Sequence, residues 1–326
     1  MSMVGQAPGR STPAPSTLLP NLVIAGVTKC GTTSMFRYLA QHPDVLPADR
    51  KELRYFSPLR YAQEPRPLAD YARHFSHRTS GRYAMEATPG YYYGGRRLAE
   101  RMRAVLPDPR VVLLFRDPVR RCWSWYSFMR SRTCIDKDMP FSDYLDRCEQ
   151  LHRRGVDGDR EHNYWWGLGG GCYDRWIHDW TSTFSPDRLR IEMFEDLAAD
   201  PATVVRRISE WLQIDSAVTA QFSYTVENRT EQYRNRRLQQ TALSINRSAG
   251  AFFGRHVTLK RRLRGTYYMF NRQPSDLRLE VADRERLEVF YAPHNARLAD
   301  ALTALGCAEL PSWLATQASP GAVETA

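Results

Sequence analysis

No run in these 326 residues comes near the roughly 20 consecutive apolar side chains that a membrane-crossing helix needs. The opening stretch, residues 1–20, is rich in Pro, Ser, Thr and Gly and has no apolar segment of the secretory kind. It reads as a disordered leader, and residues 316–326 as a flexible tail, which leaves 21–315 as a single folded domain. Six cysteines form no CxxC pair, and no Cys/His cluster has zinc spacing, so no metal is expected. Without an export signal, reduced thiols in a cytoplasm are the expectation. Lysine is almost absent. Of 46 basic side chains only Lys29, Lys51, Lys137 and Lys260 are lysines. That skew reads first as a coding bias toward arginine. The net charge of +10 is also compatible with attraction of polyanionic ligands.

What is present is an alternation of strands and helices. Asn21–Gly26, Arg82–Ala87, Arg110–Phe115 and Leu189–Phe194 are short apolar runs that read as strands. Thr32–Gln41, Pro118–Arg130 and Pro201–Leu212 read as helices, the second with Asp117 as its N-cap and Pro118 at its first position. Asp283–Tyr291 and His294–Leu305 read as two helices broken at Pro293. Thr133–Asp174 reads as a helix with long loops, a candidate lid, and Glu227–Arg237 as a polar basic loop. The pattern predicts an α/β fold: a P-loop-like central parallel sheet of about four or five strands, flanked by helices on both faces.

Two segments carry chemistry. The first, VIAGVTKCGTTS, runs strand, loop, helix, the context in which backbone N–H groups and the helix dipole hold an anion. Gly26 and Gly31 permit the turn, Lys29 brings a compact positive charge, and Thr32, Thr33 and Ser34 bring hydroxyls. Gly26 and Gly31 have the separation of a nucleotide-triphosphatase loop, but position 32 is Thr and the lysine lies inside the loop. The second segment follows the strand RVVLLF. Arg116 sits at its carboxyl end, the edge where open α/β sheets bind ligands, and Ser124 lies about two turns into the next helix. A guanidinium fork and a hydroxyl suit one phosphate dianion. Two anchors on two strands fit a nucleotide phosphorylated at both its 5′ and 3′ ends. A P-loop nucleotide kinase would want Lys at position 32 and an acidic residue where Phe115-Arg116 ends the strand. A non-catalytic basic module for anions or nucleic acid would need neither anchor at this spacing. Both stand as rival readings.

The first segment resembles the phosphosulfate loop of sulfotransferases that use 3′-phosphoadenosine-5′-phosphosulfate (PAPS), close to K-x-G-T-[ST]. The second resembles their R-x-P-x-x-R-x-x-S-x-Y motif, with Arg116, Pro118, Arg121, Ser124 and Tyr126 all in place. Lys51-Glu52-x-x-x-Phe56, Glu86-Ala87-Thr88-Pro89-Gly90-Tyr91, Gly171-Cys172-Tyr173 with Trp180, Phe184 and Glu195-Asp196-Leu197, and Tyr291-x-Pro293-x-Asn295 resemble further segments of the carbohydrate (heparan-sulfate-type) and bacterial members. The resemblance runs from about Asn21 to Trp313. It implies PAPS as co-substrate, no metal and no nucleic acid, and a small-molecule or glycan hydroxyl as acceptor. It implies that Lys29, Cys30, Gly31, Thr32, Thr33 and Ser34 hold the 5′-phosphosulfate, and that Arg116 and Ser124 hold the 3′-phosphate. Asn228–Arg237 lies where such proteins have a late loop closing over that phosphate, which makes Arg234, Arg236 and Arg237 candidates for it. It also implies Glu52 as general base, with a pKa raised by burial in the cleft, and Glu86 as second candidate. Ala87 stands where carbohydrate-acting members often have a lysine. His74 and His77 sit in an ordinary helical context, and His42 reads as a packing residue. Tyr91–Tyr93 and Tyr164–Trp166 are read either as an acceptor pocket or as core. Phe252–Phe270, basic and aromatic, is read as a solvated helix face or a peripheral membrane contact.

Overall fold

The computed structural model describes residues 18–76, 81–225, 232–249, 263, 267, 271–273, 278–307 and 309–315. Most of the leader, the tail, His77 and most of Phe252–Phe270 lie outside the described residues.

From the N-terminal side the order is β1 (Leu22–Gly26), α1 (Thr32–Leu39), β2 (Val45–Pro47), α2 (Leu68–Ala72), β3 (Tyr83–Ala87), α3 (Gly95–Val105), β4 (Arg110–Phe115) and α4 (Pro118–Ser131). Then follow α5 (Phe141–Arg153), α6 (Asp174–Thr183), β5 (Leu189–Met193), α7 (Phe194–Ala199) and α8 (Pro201–Leu212). The strands form one parallel five-stranded sheet in the order β2-β3-β1-β4-β5. The expected strands are all there; β2, too short to stand out in the sequence, adds the edge.

β1 lies at the centre, paired with β3 on one side and β4 on the other. Every residue of β1 is buried, and so is every residue of β4 after Arg110. A strand covered on both faces must be apolar throughout, which is why these runs do not alternate. The carboxyl ends of β1, β3 and β4 therefore stand side by side at one sheet edge, where α/β folds bind ligands.

Aromatic residues fill the core. Tyr91, Tyr92 and Tyr93 are buried, so these tyrosines pack the interior and do not line an acceptor pocket. Tyr92 donates to the Tyr173 carbonyl (2.7 Å) and Tyr93 to the Gly170 carbonyl (2.9 Å). Trp166–Tyr173 is buried as well, so that part of the expected lid belongs to the core.

Two expectations fail. Pro293 does not separate two helices: a single helix runs from Val281 to Ala304 with Pro293 inside it. Its buried stripe, Leu287, Tyr291, Asn295, Leu298 and Leu302, continues in phase across the proline. Burial of that stripe outweighs the one backbone bond the proline removes. The polar segment expected to be loop as far as Arg237 instead contains a short strand, Gln232–Tyr233, and the start of a helix, Arg236–Ser248. Asn235 caps that helix by accepting from the Leu238 N–H at 3.1 Å. Among the described residues no helix is long and apolar enough to cross a membrane.

Candidate active site

At the end of β1 the chain turns through Val27–Gly31 into α1. The Val27 N–H donates to the Leu114 carbonyl (3.0 Å) and the Cys30 N–H to the Val27 carbonyl (3.2 Å), so the turn is tied to β4 and to itself. Lys29 and Gly31 have φ of +73° and +84°. A Cβ at Gly31 would stand 2.8 Å from the Phe194 ring, which packs under the turn. No side chain caps the N-terminus of α1. The first-turn N–H groups of Thr32, Thr33 and Ser34 therefore point outward without an intrahelical acceptor, beside the positive end of the helix dipole.

Lys29 is half-buried, with its ammonium 4.5 Å from the centre of the Phe128 ring. Burial, with Arg116 and Arg121 nearby, lowers its pKa to about 8. Cys30 is fully buried, and burial raises its thiol to about 11, so it is a packing residue of the loop and not a nucleophile.

Arg116 leaves the end of β4 and crosses to this turn. Its Nη1 donates to the Lys29 carbonyl at 3.2 Å, and its guanidinium lies 4.3 Å from the centre of the Phe194 ring. Its Nε is buried without a partner. A buried guanidinium N–H without a partner at a sheet edge is suited to an anion. Asp117 caps α4 as expected, accepting from the Val119 N–H at 2.9 Å, and Ser124 is half-buried on that helix.

Glu52 lies in the loop that follows β2, beside the end of β3. Its N–H donates to the carbonyl of Ala87, the last residue of β3 (3.0 Å). Its carboxylate meets the Lys51 ammonium at 3.3 Å and the Arg54 guanidinium at 2.9 Å. Burial pushes the Glu52 pKa up, but Lys51 and Arg54 outweigh it and hold the group below the ordinary glutamate value. This reverses the expected direction, because the two cations that bracket the carboxylate favour its charged form more than its partial burial disfavours it. β1 and β3 are parallel neighbours, so Glu52, tied to the end of β3, and Lys29, in the turn after β1, stand at the same sheet edge.

Other expected candidates fall elsewhere. Glu86 is fully buried and accepts hydroxyl bonds only. His42 accepts from the Asp44 N–H (3.0 Å) and reaches the Asp215 carbonyl (2.9 Å), a loop-packing role. His74 pairs with Asp49 at 2.8 Å. Arg236 lies 3.5 Å from Asp136 in an exposed ion pair, and Arg234 is exposed.

Two residues take roles that the motifs alone do not indicate. Arg121 is fully buried and has carbonyls and a hydroxyl as its partners: Thr28 (3.2 Å), Gly167 (2.8 Å) and the Tyr93 hydroxyl (3.1 Å). It props the turn after β1 from below. The signal was its position: Arg121 and Trp125 are four apart, in the apolar stripe of α4. Phe194 is the second, wedged between Gly31 and Arg116.

Residues 19–257 match the family described as sulfotransferase domain. Over 211 residues the chain is 28% identical to heparan sulfate glucosamine 3-O-sulfotransferase 3B1 of Mus musculus, covering 65% of this chain and 50% of that protein. Over 203 residues it is 26% identical to the bifunctional heparan sulfate N-deacetylase/N-sulfotransferase 1 of Caenorhabditis briggsae, covering 60% of this chain and 23% of that one. The chain thus spans half or less of the length of these relatives. The crystal structure of a sulfotransferase from Alicyclobacillus acidocaldarius shares the fold with a TM-score of 0.63 and 22% identity, over 91% of this chain and 99% of that one. A match spanning most of the sequence, on a P-loop-like sheet with an anion-ready turn, makes this chain a member of the sulfotransferase family.

Proposed function

We propose that the chain transfers the sulfuryl group of PAPS to a hydroxyl of a carbohydrate, glycolipid or secondary-metabolite acceptor, with Glu52 as general base. The observation that carries this reading is the pair of anion anchors on adjacent strands: the β1 turn with its outward N–H groups, and Arg116 with its unpartnered buried Nε. One nucleotide phosphorylated at both ends accounts for both. The heparan sulfate relatives act on glycans by name, which supports a sugar hydroxyl as acceptor.

When bound, PAPS supplies an activated sulfuryl group. The chain supplies position and charge. The turn N–H groups and the hydroxyls of Thr32, Thr33 and Ser34 receive the 5′-phosphosulfate. Lys29 places its ammonium where charge develops on the departing oxygen. Arg116 and Ser124 receive the 3′-phosphate. Glu52, ionised by Lys51 and Arg54, takes the acceptor proton, and Lys51 stands in the cation role that Ala87 leaves open. Six free cysteines support a reducing, cytoplasmic setting.

A thermal-shift comparison tests the reading. 3′,5′-ADP should raise the melting temperature, and ATP with Mg²⁺ should not; the opposite pattern sinks it. Glu52→Gln should then lower turnover of PAPS steeply while leaving 3′,5′-ADP affinity near normal.

A further inference from the structure

We infer that Glu86 is a positioning residue: through two hydroxyl relays its buried carboxylate sets the backbone of the Glu52–Phe56 loop, and so the place of the Glu52 carboxylate. The inference rests on the reading of Glu52 as the base.

The Glu52–Phe56 loop needs such a hold. Glu52 and Arg54 have φ of +62° and +56°, a left-handed conformation that side-chain-bearing residues keep only where their surroundings enforce it. The Arg54 N–H donates to Thr88 Oγ1 at 3.2 Å, and Thr88 Oγ1 lies 2.6 Å from Glu86 Oε1. The Phe56 N–H donates to the Tyr91 hydroxyl at 3.3 Å, which lies 2.8 Å from the same Oε1. A backbone N–H can only donate, so each hydroxyl oxygen is used as an acceptor on the loop side and is free to turn its own proton toward Glu86. Both relays thus run from loop N–H to hydroxyl to a single carboxylate oxygen. The third hydroxyl, from Tyr71, meets Oε2 and touches no loop N–H.

This wiring also explains why Glu86 is not the base. It is fully buried, and the hydroxyls of Thr88, Tyr91 and Tyr71 already occupy its oxygens. A carboxyl group buried in a strand interior is retained only when paired or fully hydrogen-bonded. Here the bonds are spent on placing a neighbouring loop.

The arrangement separates placement from proton transfer. Glu86→Gln keeps an amide oxygen for both relays and turns its NH₂ to Tyr71, so kcat should fall only a few-fold; a base would lose as much in the Gln variant as in Ala. Glu86→Ala should lose about 10- to 100-fold in kcat, the scale of a small misplacement of a reacting group. Thr88→Val and Tyr91→Phe should each lower kcat several-fold with 3′,5′-ADP affinity unchanged. Tyr71→Phe is the internal control. It leaves Glu86 short of one donor as they do, and its ring still stacks on Tyr55 at 4.3 Å, but kcat should stay at wild-type level. If Glu86→Ala does not fold, the three hydroxyl variants decide. Amide hydrogen exchange supplies a readout apart from activity: the Arg54 and Phe56 amides should lose protection in Thr88→Val and Tyr91→Phe respectively, and keep it in Tyr71→Phe. Equal kcat losses in all three hydroxyl variants, or unchanged exchange at both amides, would overturn the inference. Glu52→Gln assayed alongside keeps the two readings apart. Full turnover there removes Glu52 as base, whereas a dead Glu52→Gln beside fully active Thr88→Val and Tyr91→Phe removes only the positioning role.

Discussion

Arg116 donates to the main-chain carbonyl of Lys29 at 3.2 Å, joining the end of β4 to the turn that follows β1. The two segments proposed to hold the nucleotide are therefore tied to each other. On the proposed function, the guanidinium that meets one phosphate also fixes the turn that receives the other end of the nucleotide. A guanidinium has five N–H donors in a fixed fork and serves both tasks at once.

Replacing Arg116 should for that reason cost more than a single contact. In Arg116→Ala the affinity for 3′,5′-ADP should fall about 100-fold, through loss of a charge-assisted pair and release of the turn. Arg116→Lys keeps the charge but not the fork, and should recover only part of that loss. Ser124→Ala, which removes a neutral hydroxyl, should cost about 3- to 10-fold. Isothermal titration of the three variants checks the order. A lysine variant that binds like wild type would mean that charge alone matters.

Lys29 should make nucleotide binding depend on pH. Its folded pKa is lowered to about 8 by burial and by Arg116 and Arg121, against an unfolded value of 10.5. Below about 8 it is protonated in both states. Between about 8 and 10.5 only the unfolded chain holds the proton, so this group adds stability as pH rises through that window. Binding runs the other way. A phosphate beside Lys29 favours the ammonium, so 3′,5′-ADP affinity should fall above pH 8, with proton uptake on binding near that pH. Calorimetry at pH 8 in buffers of different ionisation enthalpy measures the uptake, and Lys29→Ala should abolish it.

The central strands and the turn after β1 were legible because their requirements are local. A strand buried on both faces must be a continuous apolar run, and Gly26, Lys29 and Gly31 announce a turn by themselves. What stayed hidden depends on neighbours distant in sequence. The lowered pKa of Glu52 comes from Lys51 and Arg54, and Arg54 faces it on a left-handed backbone whose N–H groups bond Thr88 and Tyr91, just after β3. Phe194 is one apolar residue among many until it is seen under Gly31. Arg236 shows the same limit: a basic stretch does not reveal that Asp136, a hundred residues earlier, lies 3.5 Å from its guanidinium.

Pro293 offers a stability test away from the site. It is exposed inside the Val281–Ala304 helix and has no N–H to give the carbonyl of Val289, itself exposed. Pro293→Ala should restore that bond without opening a cavity. The helix-interior gain, less the greater freedom of the unfolded chain, comes to about 1–2 kcal/mol. The melting temperature should rise by several degrees. A fall would mean that the helix needs the proline to seat Tyr291, whose hydroxyl donates to the Leu168 carbonyl at 2.7 Å.

The clamp on Glu52 should be visible in the pH dependence of turnover. A general base works only when ionised, so the acid limb of kcat/KM in the free enzyme reports its pKa. Burial alone would place that limb above the ordinary glutamate range. Lys51 and Arg54 reverse the sign and hold it below, so the enzyme should keep its activity to unusually low pH. Arg54→Ala removes one of the two cations, leaves burial in place, and should move the acid limb upward. Lys51→Ala should act in the same direction, and because the Lys51 side chain is only 17% exposed against 69% for Arg54, its charge is the less screened and its shift should be the larger. High salt should narrow the difference between wild type and Arg54→Ala more than that between wild type and Lys51→Ala. An acid limb that stays in place in both variants would show that the titrating base is not Glu52.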